Sequence, residues 1–327
     1  MSDAVTIRPA ASDDDLAVLV DLIATVTPDD PTSVDEIRWS DATYPGTARF
    51  LAERAGRAEG AATVGRIFVY PPEHPDLWAQ IVVAADARQT GVGTALLEVV
   101  SARADEAGKT GLQFRAWAHR PEGIAFLAHR GFAELERSRM VRLDLAGLAH
   151  PMVILPAGLA LTDLAARPDL IAGVHAVAQE AFDDIPGGDD PMAAGDLAEF
   201  RARDMDRPGI PPGAFKVAID ETTDEVVGYA SLHMIPGSTT VAWHDMTAVR
   251  RAWRNRGIAT ALKIATIDWA IEHGLEALET GNDEENAGMR AVNARLGYAP
   301  LPDEVTMRGP LFLPGSATGG TLGGKRA

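Results

Sequence analysis

The sequence contains no cysteine among its 327 residues. Disulfide bridges, cysteine-ligated zinc sites and thiol nucleophiles are therefore excluded. Positive charge is scarce as well, because 30 lysines and arginines face 47 aspartates and glutamates, which gives a net charge of −17. Duplex nucleic acid and anionic membrane surfaces require a basic binding face, so we expect neither as a partner. An acidic chain is compatible with a cationic or amine substrate.

Long hydrophobic runs are also missing, since no apolar stretch reaches the length that spans a bilayer. The chain starts with a polar, acidic segment, MSDAVTIRPAASDDD, which lacks the features of a signal peptide. We therefore expect a cytoplasmic protein, as a monomer or a homodimer. Hydrophobic residues make up 46% of the chain and charged residues 24%, which is typical of a globular protein with a sizeable core. The length favours two domains.

The most informative stretch is Trp243–Leu262, in which a strand, an arginine-rich turn and a helix follow one another. Val241–Val249 is rich in residues suited to a half-buried strand, and apolar residues recur at helical spacing from Ile258 onward. A helix N-terminus exposes unpaired backbone N–H groups and partial positive charge, and Gly257 lets an anion approach that backbone closely. Arginine offers forked donors to phosphate. The stretch therefore predicts a pyrophosphate-binding turn, whose arginines are Arg250, Arg251, Arg254 and Arg256.

The same unit occurs earlier in the chain at a fixed distance, which we call the repeat offset. The position number of Arg254 exceeds that of Arg88 by 166, and the same difference separates Gly257 from Gly91 and the closing pair Gly297-Tyr298 from Gly131-Phe132. A constant offset predicts two copies of one domain, and it argues against a simple solvated turn. We predict a first domain over residues 1–147, a linker over 148–157, a second domain over 158–313 and a flexible, glycine-rich tail over 314–327.

The order of these elements resembles the GCN5-related N-acetyltransferase (GNAT) superfamily in both halves: a strand, an R-x-x-G-x-G/A turn, a helix, a strand and a helix ending in glycine and an aromatic residue. The C-terminal half resembles the tandem group that includes mycothiol synthase, through Thr247-Ala248-Val249, Arg254 to Ala259, Thr280-Gly281-Asn282, Asn286, Met289, Asn293 and Leu296-Gly297-Tyr298. The resemblance implies an α+β fold of two tandem GNAT domains, each a mixed, strongly twisted, splayed β-sheet flanked by helices.

The resemblance also implies acetyl-CoA as the cofactor, with its pantetheine arm in the gap of the splayed sheet. The arm would pair with the backbone of Thr247 and Val249, and Asn286 matches the family position that bonds it. The expected cofactor-binding residues are Thr247, Ala248, Val249, Arg254, Asn255, Arg256, Gly257, Ile258, Ala259, Thr260 and Asn286, and in the first copy Val83, Arg88, Gln89, Thr90, Gly91, Val92, Gly93 and Thr94. A dinucleotide fingerprint is excluded because the third glycine of G-x-G-x-x-G is missing. We predict no metal site.

Acetyl transfer to an amine requires one group that accepts the amine proton and another that protonates the departing thiolate. His244 and Asp245 are the local candidates for the proton acceptor, and successive strand residues point to opposite faces. Parity with Thr247 favours Asp245. Many GNAT enzymes have a tyrosine where this chain has Asn293, so the donor is either Tyr229 on the preceding strand or a water held by Asn293. We predict Asp245, Asn293 and Tyr229 as catalytic residues.

The first copy keeps its phosphate turn and loses other features. By the repeat offset, Leu127 corresponds to Asn293, Arg120 to Asn286 and Ala79 to Asp245. We expect this copy to fold as a GNAT domain, to bind acetyl-CoA weakly at most, and to leave catalysis to the second copy. Tyr298 is expected to pack in the core.

The predicted function is an acetyl-CoA-dependent N-acetyltransferase acting on a small-molecule amine by direct attack in a ternary complex. An acidic loop either attracts that amine or is a solvated surface; its residues are Asp183, Asp184, Asp189 and Asp190. The alternative function is a non-catalytic acyl-CoA-binding or sensing protein. O-acetyl transfer and transfer of a longer acyl chain also remain open.

Overall fold

The computed structural model describes residues 4–184 and 192–313, so the predicted tail and two of the acidic positions, Asp189 and Asp190, lie outside it. The first half contains β1 (Thr6–Pro9), α1 (Asp13–Val26), α2 (Val34–Thr43), β2 (Ala48–Arg54), β3 (Arg57–Arg66), β4 (Asp76–Val83), α3 (Val92–Glu106), β5 (Gly111–Trp117), α4 (Pro121–Ala128) and β6 (Ala133–Asp144). The second half contains β7 (Leu159–Asp163), α5 (Ile171–Phe182), α6 (Leu197–Asp204), β8 (Lys216–Asp220), β9 (Val226–Met234), β10 (Val241–Val249), α7 (Ile258–Glu272), β11 (Ala277–Asp283), α8 (Ala287–Arg295), β12 (Ala299–Pro300) and β13 (Glu304–Pro310).

All thirteen strands belong to one continuous mixed sheet. The strands run in the order β1-β2-β3-β4-β5-β13-β6-β11-β10-β9-β8-β7, and β12 pairs with β6. Two neighbouring pairs are parallel, β4 with β5 and β10 with β11, whereas the other neighbours are antiparallel. The α+β class and the mixed sheet predicted from the sequence are confirmed.

The two halves exchange their last strands. β13, from the end of the chain, lies between β5 and β6 of the first half, and β6 in turn pairs with β11 of the second half. Ser138 and Glu304, which are related by the repeat offset, face each other across the β6–β13 pair, so the local two-fold axis passes between them. Gly309 of β13 is in close contact with Phe132, whose ring lies where a Cβ would stand. The linker over residues 148–157, and with it the boundary between the two domains, stays a prediction.

Helices cover both faces of the second-half strands. Val249 and Ala230 pack with Ile258 and Leu262 of α7, whereas their chain neighbours Ala248 and Tyr229 pack in the cluster that contains α5. Because successive strand residues point to opposite faces, α7 and α5 lie on opposite sides of the sheet. Within residues 4–184 and 192–313, every helix is too short or too polar to cross a membrane.

Candidate active site

The predicted gap in the sheet lies between β10 and β11. These strands pair only from Val241 to Trp243, opposite Ala277–Glu279, and then separate. β10 continues along β9, and β11 continues along β6. The separation opens a cavity of about 460 Å³. It is lined by Ala181, Asp184, Trp243, His244, Asp245, Met246, Thr247, Ala248, Val249, Arg254, Ala259, Lys263, Thr280, Gly281, Asn282, Asp283, Asn286 and Met289.

A β-bulge interrupts β10 beside this cavity. His244 pairs with Leu232 and Thr247 with Ala230, so the two residues between them, Asp245 and Met246, face one residue of β9. A bulge adds a residue and redirects the side chains that follow it. Thr247 consequently lies on the α7 side with its partner Ala230, whereas Asp245 approaches His233 on the other side. The expectation that Asp245 and Thr247 share a face is wrong for this reason, although both line the cavity.

The bulge also shifts the correspondence between the two copies. Trp243 pairs with Glu279, and Trp78 pairs with Gln113, which is the counterpart of Glu279 by the repeat offset. Trp78 is therefore the counterpart of Trp243, and the counterpart of His244 is Ala79. The matching of Ala79 with Asp245 is wrong by one position. β4 pairs with β3 without interruption from Leu77 to Val83.

Asp245 is an ionised carboxylate on the cavity wall. Its side chain is 33% exposed, and one oxygen lies 3.5 Å from Nδ1 of His233. Burial raises the pKa of this carboxyl, but the His233 ring and the charge of Arg207 outweigh burial, so the pKa lies below its usual value. Asp245 is thus available to accept a proton, and the His233 ring lies beside it.

The phosphate turn has the predicted shape. Gly257 is the N-cap of α7 with a φ of 85°, and Asn255 before it also has a positive φ of 61°. No side chain in the described ranges caps this end of α7, so its first N–H groups remain available to an anion. Arg254 donates from Nε to the carbonyl of Val249 at 2.9 Å, which fixes its guanidinium beside the turn.

The acidic end of α5 pairs with two turn arginines. Asp184 lies 2.8 Å from Nε of Arg251 and 2.7 Å from a terminal nitrogen of Arg254. Arg251, followed by Arg254, lowers the pKa of Asp184 to about 2. Asp183 also lies 3.4 Å from Arg251. Asp183 and Asp184 are exposed, and their charges are paired with turn arginines.

The other two turn arginines have local partners. Arg250 donates from Nε to the carbonyl of Val226 at 2.8 Å. Arg256 lies over the Trp253 ring, 4.9 Å from its centroid. Of the four turn arginines, Arg254 is the one on the cavity wall.

The two asparagines of α8 have different roles. Asn286 caps the helix by accepting the N–H of Met289 at 3.1 Å, which leaves its amide NH₂ free to donate. Asn293 is 2% exposed and donates from Nδ2 to Asn282 at 2.6 Å. Its side-chain oxygen, Oδ1, is buried without a hydrogen-bond partner among the described residues. Asn282 lines the cavity, so Asn293 reaches the site through Asn282.

The two tyrosines of the second half are both buried, and only one of them is linked to the cavity. Tyr229 is 2% exposed and stacks on Phe215 with ring centroids 5.3 Å apart, within the core beside α5. It is absent from the described cavity lining. Tyr298 is buried as expected, but its hydroxyl lies 2.8 Å from Nδ1 of His244, which does line the cavity. The tyrosine linked to the site is therefore Tyr298.

A buried polar cluster forms the α7 side of the cavity, and the sequence analysis missed it. The Thr266 hydroxyl donates to the Lys263 carbonyl at 2.9 Å, so its oxygen can accept Nε2–H of His244 at 3.1 Å. Nδ1 of His244 then accepts from the Tyr298 hydroxyl. Burial, and secondly the charge of Lys263, lower the pKa of His244 well below its ordinary value, so the ring is neutral.

Lys263 is the least expected member of this cluster. It is 1% exposed on α7, and its Nζ lies 5.5 Å from the centroid of the Tyr298 ring. Burial lowers the pKa of its ammonium to about 7. Among the described residues, no carboxylate forms an ion pair with it within 4.0 Å. A signal was present in the sequence, because Lys263 lies between Leu262 and Ala265 on a helix with apolar residues on all sides.

The phosphate turn of the first copy has the same backbone, but side chains pack against the first residues of the helix that follows it. Gln89 and Gly91 have φ values of 62° and 94°, which match Asn255 and Gly257. However, the Phe126 ring lies against Gly93, 3.4 Å from where a Cβ would stand. Arg130 stacks on Phe126 at 3.8 Å and donates to the Thr94 hydroxyl at 2.9 Å. Side chains from the end of α4 thus cover the start of α3.

Comparison with known proteins agrees with this geometry. Residues 178–298 match the acetyltransferase (GNAT) family. A mycothiol acetyltransferase of Nocardia farcinica is 29% identical over 270 residues, which is 80% of this chain and 82% of that protein. A mycothiol acetyltransferase of Renibacterium salmoninarum is 28% identical over 227 residues, which is 67% of this chain and 63% of that protein.

Solved structures show the same arrangement over both halves. A tandem GNAT protein from the clavulanic acid biosynthesis pathway has a TM-score of 0.77 at 22% identity, with 94% of this chain and 99% of that chain covered. A GCN5-related N-acetyltransferase from Sphaerobacter thermophilus has a TM-score of 0.73 at 18% identity, with 95% and 97% covered. The tandem fold inferred from the repeat offset is confirmed.

Proposed function

Because this chain is a tandem GNAT protein distantly related to the mycothiol acetyltransferases, we propose that it transfers the acetyl group of acetyl-CoA to the amine of a small molecule. The observation that carries the proposal is a single cavity shared by three features. These are the unpaired edge of β10, the start of α7 with Arg254, and the carboxylate of Asp245. The reaction is direct attack in a ternary complex.

Acetyl-CoA would lie along the edge of β10 that faces the cavity. Its pyrophosphate fits the free N–H groups at the start of α7, with Arg254 donating to it. Its pantetheine amides fit the backbone of Thr247 and Val249, as an added strand would, and the free NH₂ of Asn286 can donate to the arm. Each of these residues lies on the wall of the same cavity.

The thioester would then reach the bulge at Asp245 and Met246. A bulge leaves backbone N–H groups outside the regular ladder, where they can polarise the thioester carbonyl. The Asp245 carboxylate is the proposed acceptor of the amine proton. We place catalysis in residues 158–313 and assign a structural role to the first copy, in which Phe126 and Arg130 contact Gly93 and Thr94 at the start of α3.

The test is thiol release from acetyl-CoA across a library of amines that includes the acceptor of the mycothiol acetyltransferases. We expect release that depends on one class of amine. Asp245→Asn should lower kcat by about 10²- to 10⁴-fold, the usual contribution of a general base, while acetyl-CoA binding by calorimetry stays the same. Tight cofactor binding without release by any amine would favour the sensing alternative.

A further inference from the structure

The polar cluster under the cavity is not required by the fold, and the first copy shows this directly. On α3, by the repeat offset, Leu97 and Val100 stand where α7 has Lys263 and Thr266. Phe132 corresponds to Tyr298, and Ala79 to His244 by strand pairing. All four counterparts are buried members of one apolar core. The same scaffold therefore packs well with hydrophobic residues at every position where the second copy has a polar one.

The second copy replaces this apolar core at a cost. A buried ammonium without a carboxylate partner is one of the more unfavourable groups in a protein interior. Lys263 nevertheless extends from α7 to the wall of the cavity in which we place the cofactor arm. His244, which is also on this wall, is the first residue of β10 beyond the last β10–β11 pair at Trp243. Lys263 and His244 therefore lie at the narrow end of the gap, below the bulge.

Acetyl transfer requires a proton for the departing sulfur, and neither Tyr229 nor the Asn293 amide supplies it directly, whereas a water held by Asn293 stays a prediction. Tyr229 is in the core, and Asn293 is an amide behind Asn282. We propose that the Lys263 ammonium donates the proton to the thiolate that leaves acetyl-CoA. This inference rests on the function proposed above. His244 and Tyr298 act as positioning residues, because their hydrogen-bonded chain through Thr266 holds the α7 side of the site rigid.

The proton and electron balance of the step is complete without a further reactant. The acceptor nitrogen bonds to the thioester carbonyl carbon, and its proton passes to Asp245. The C–S bond breaks with both electrons moving to sulfur, and Nζ of Lys263 transfers a proton to that sulfur. The products are the acetylated amine, the CoA thiol, a protonated Asp245 and a neutral Lys263. As the products leave, Asp245 releases its proton to solvent and Lys263 regains one.

The surroundings of Lys263 favour easy loss of its proton. The charged and titratable groups around the cavity are His244 and Asp245 on β10, Tyr298 after α8, Asp283 at the end of β11, Asp184 at the end of α5, and Arg254 in the turn. His244 is neutral, and Asp184 is paired with Arg254. Burial therefore dominates and brings the pKa of Lys263 to about 7, which is near the optimum for a general acid at neutral pH.

A test that needs no acceptor is a pH titration of the thiol of bound CoA, followed by thiolate absorbance. The variant is Lys263→Leu, because leucine already occupies this position in the first copy. An ammonium and a thiol in contact titrate as a coupled pair, in which each charge favours the other. The thiolate midpoint of the wild type should therefore lie about one pH unit or more below that of Lys263→Leu; one unit corresponds to about 1.4 kcal/mol. Lys216→Leu is the matched control, because it removes an amine that pairs with Asp163 and is absent from the described cavity lining, so it should titrate like the wild type.

Kinetics with an active amine supply the second readout. The wild-type kcat should fall as the pH rises through the Lys263 pKa, and Lys263→Leu should lose this limb along with about 10²- to 10⁴-fold in kcat. Equal thiol midpoints in wild type and Lys263→Leu overturn the inference, whatever the activity. A shifted midpoint with an unchanged pH profile overturns the proton-donor role. A shifted midpoint without turnover by any amine rejects the proposed function and leaves Lys263 beside the sulfur.

Discussion

Replacement of Arg254 by alanine gives the sharpest test of where the cofactor binds. Arg254 is held in place by the Val249 carbonyl at 2.9 Å and by Asp184 at 2.7 Å, so its remaining donors are oriented before any ligand arrives. A hydrogen bond to a charged group contributes about 1.5–3 kcal/mol, and each 1.4 kcal/mol is tenfold in affinity. We therefore expect Arg254→Ala to weaken acetyl-CoA binding by about 10- to 150-fold, measured by calorimetric titration.

Arg88→Ala is the matched control, because Arg88 occupies the same position in the first copy. Its Nε also points to the carbonyl before the turn, that of Val83, at 3.4 Å. Since Phe126 covers the start of α3 there, Arg88→Ala should change the affinity by less than about twofold, within the small effect of most exposed substitutions. Urea unfolding of both variants checks that the fold is retained. Equal losses in the two variants, or a larger loss in Arg88→Ala, would refute the assignment of the cofactor site.

Three further outcomes follow from contacts in the second half. Tyr298→Phe leaves Nδ1 of His244 buried without its donor, so the free energy of unfolding in urea should fall by about 1–3 kcal/mol; an unchanged value would contradict the hydrogen-bonded chain. Asp184→Asn removes a carboxylate that competes with pyrophosphate for the turn arginines. Acetyl-CoA should therefore bind about two- to fivefold more tightly, as expected for an exposed ion pair. Asp183→Asn should have a smaller effect. Lys263 has a pKa of about 7 in the folded state, against 10.5 in the unfolded chain. Between these two pH values the unfolded state binds more protons, so the free energy of unfolding should rise with pH. Lys263→Leu should lose this rise, measured by urea unfolding.

The sequence predicted the strand along the cavity well. β10 has the predicted bounds, Val241–Val249, because it is a dense run of strand-forming residues ended by a polar turn. The sequence did not reveal the bulge inside β10. The repeat offset holds for the residues between the bulge and the phosphate turn. Before the bulge the correspondence between the two copies shifts by one position, and the length of the connection before β10 hides that shift. Side-chain parity therefore failed at Asp245, although the residue itself was found.

Two other features were missed for different physical reasons. Glu304–Pro310 contains a glycine and a proline among few apolar residues, so it has a weak strand signal on its own. The repeat offset relates it to positions 138–144, which lie within β6, and this correspondence would have revealed it. Lys263 resembles a surface lysine when it is read alone. Only its placement on a mostly apolar helix, together with Leu97 in the first copy, distinguishes a buried amine from a solvated one.

The exchanged strands also dictate the order in which this chain can fold during synthesis. Trp117 of β5 pairs with Glu304 of β13, so nearly all of the second half must be synthesised before the first half can complete its sheet. Until then β5 presents an open edge of unpaired N–H and C=O groups, which is a template for wrong pairing. The nascent chain therefore carries an incomplete first half through most of translation. Among the described strands, β13 leaves the ribosome last, and it closes the half of the sheet that was made first.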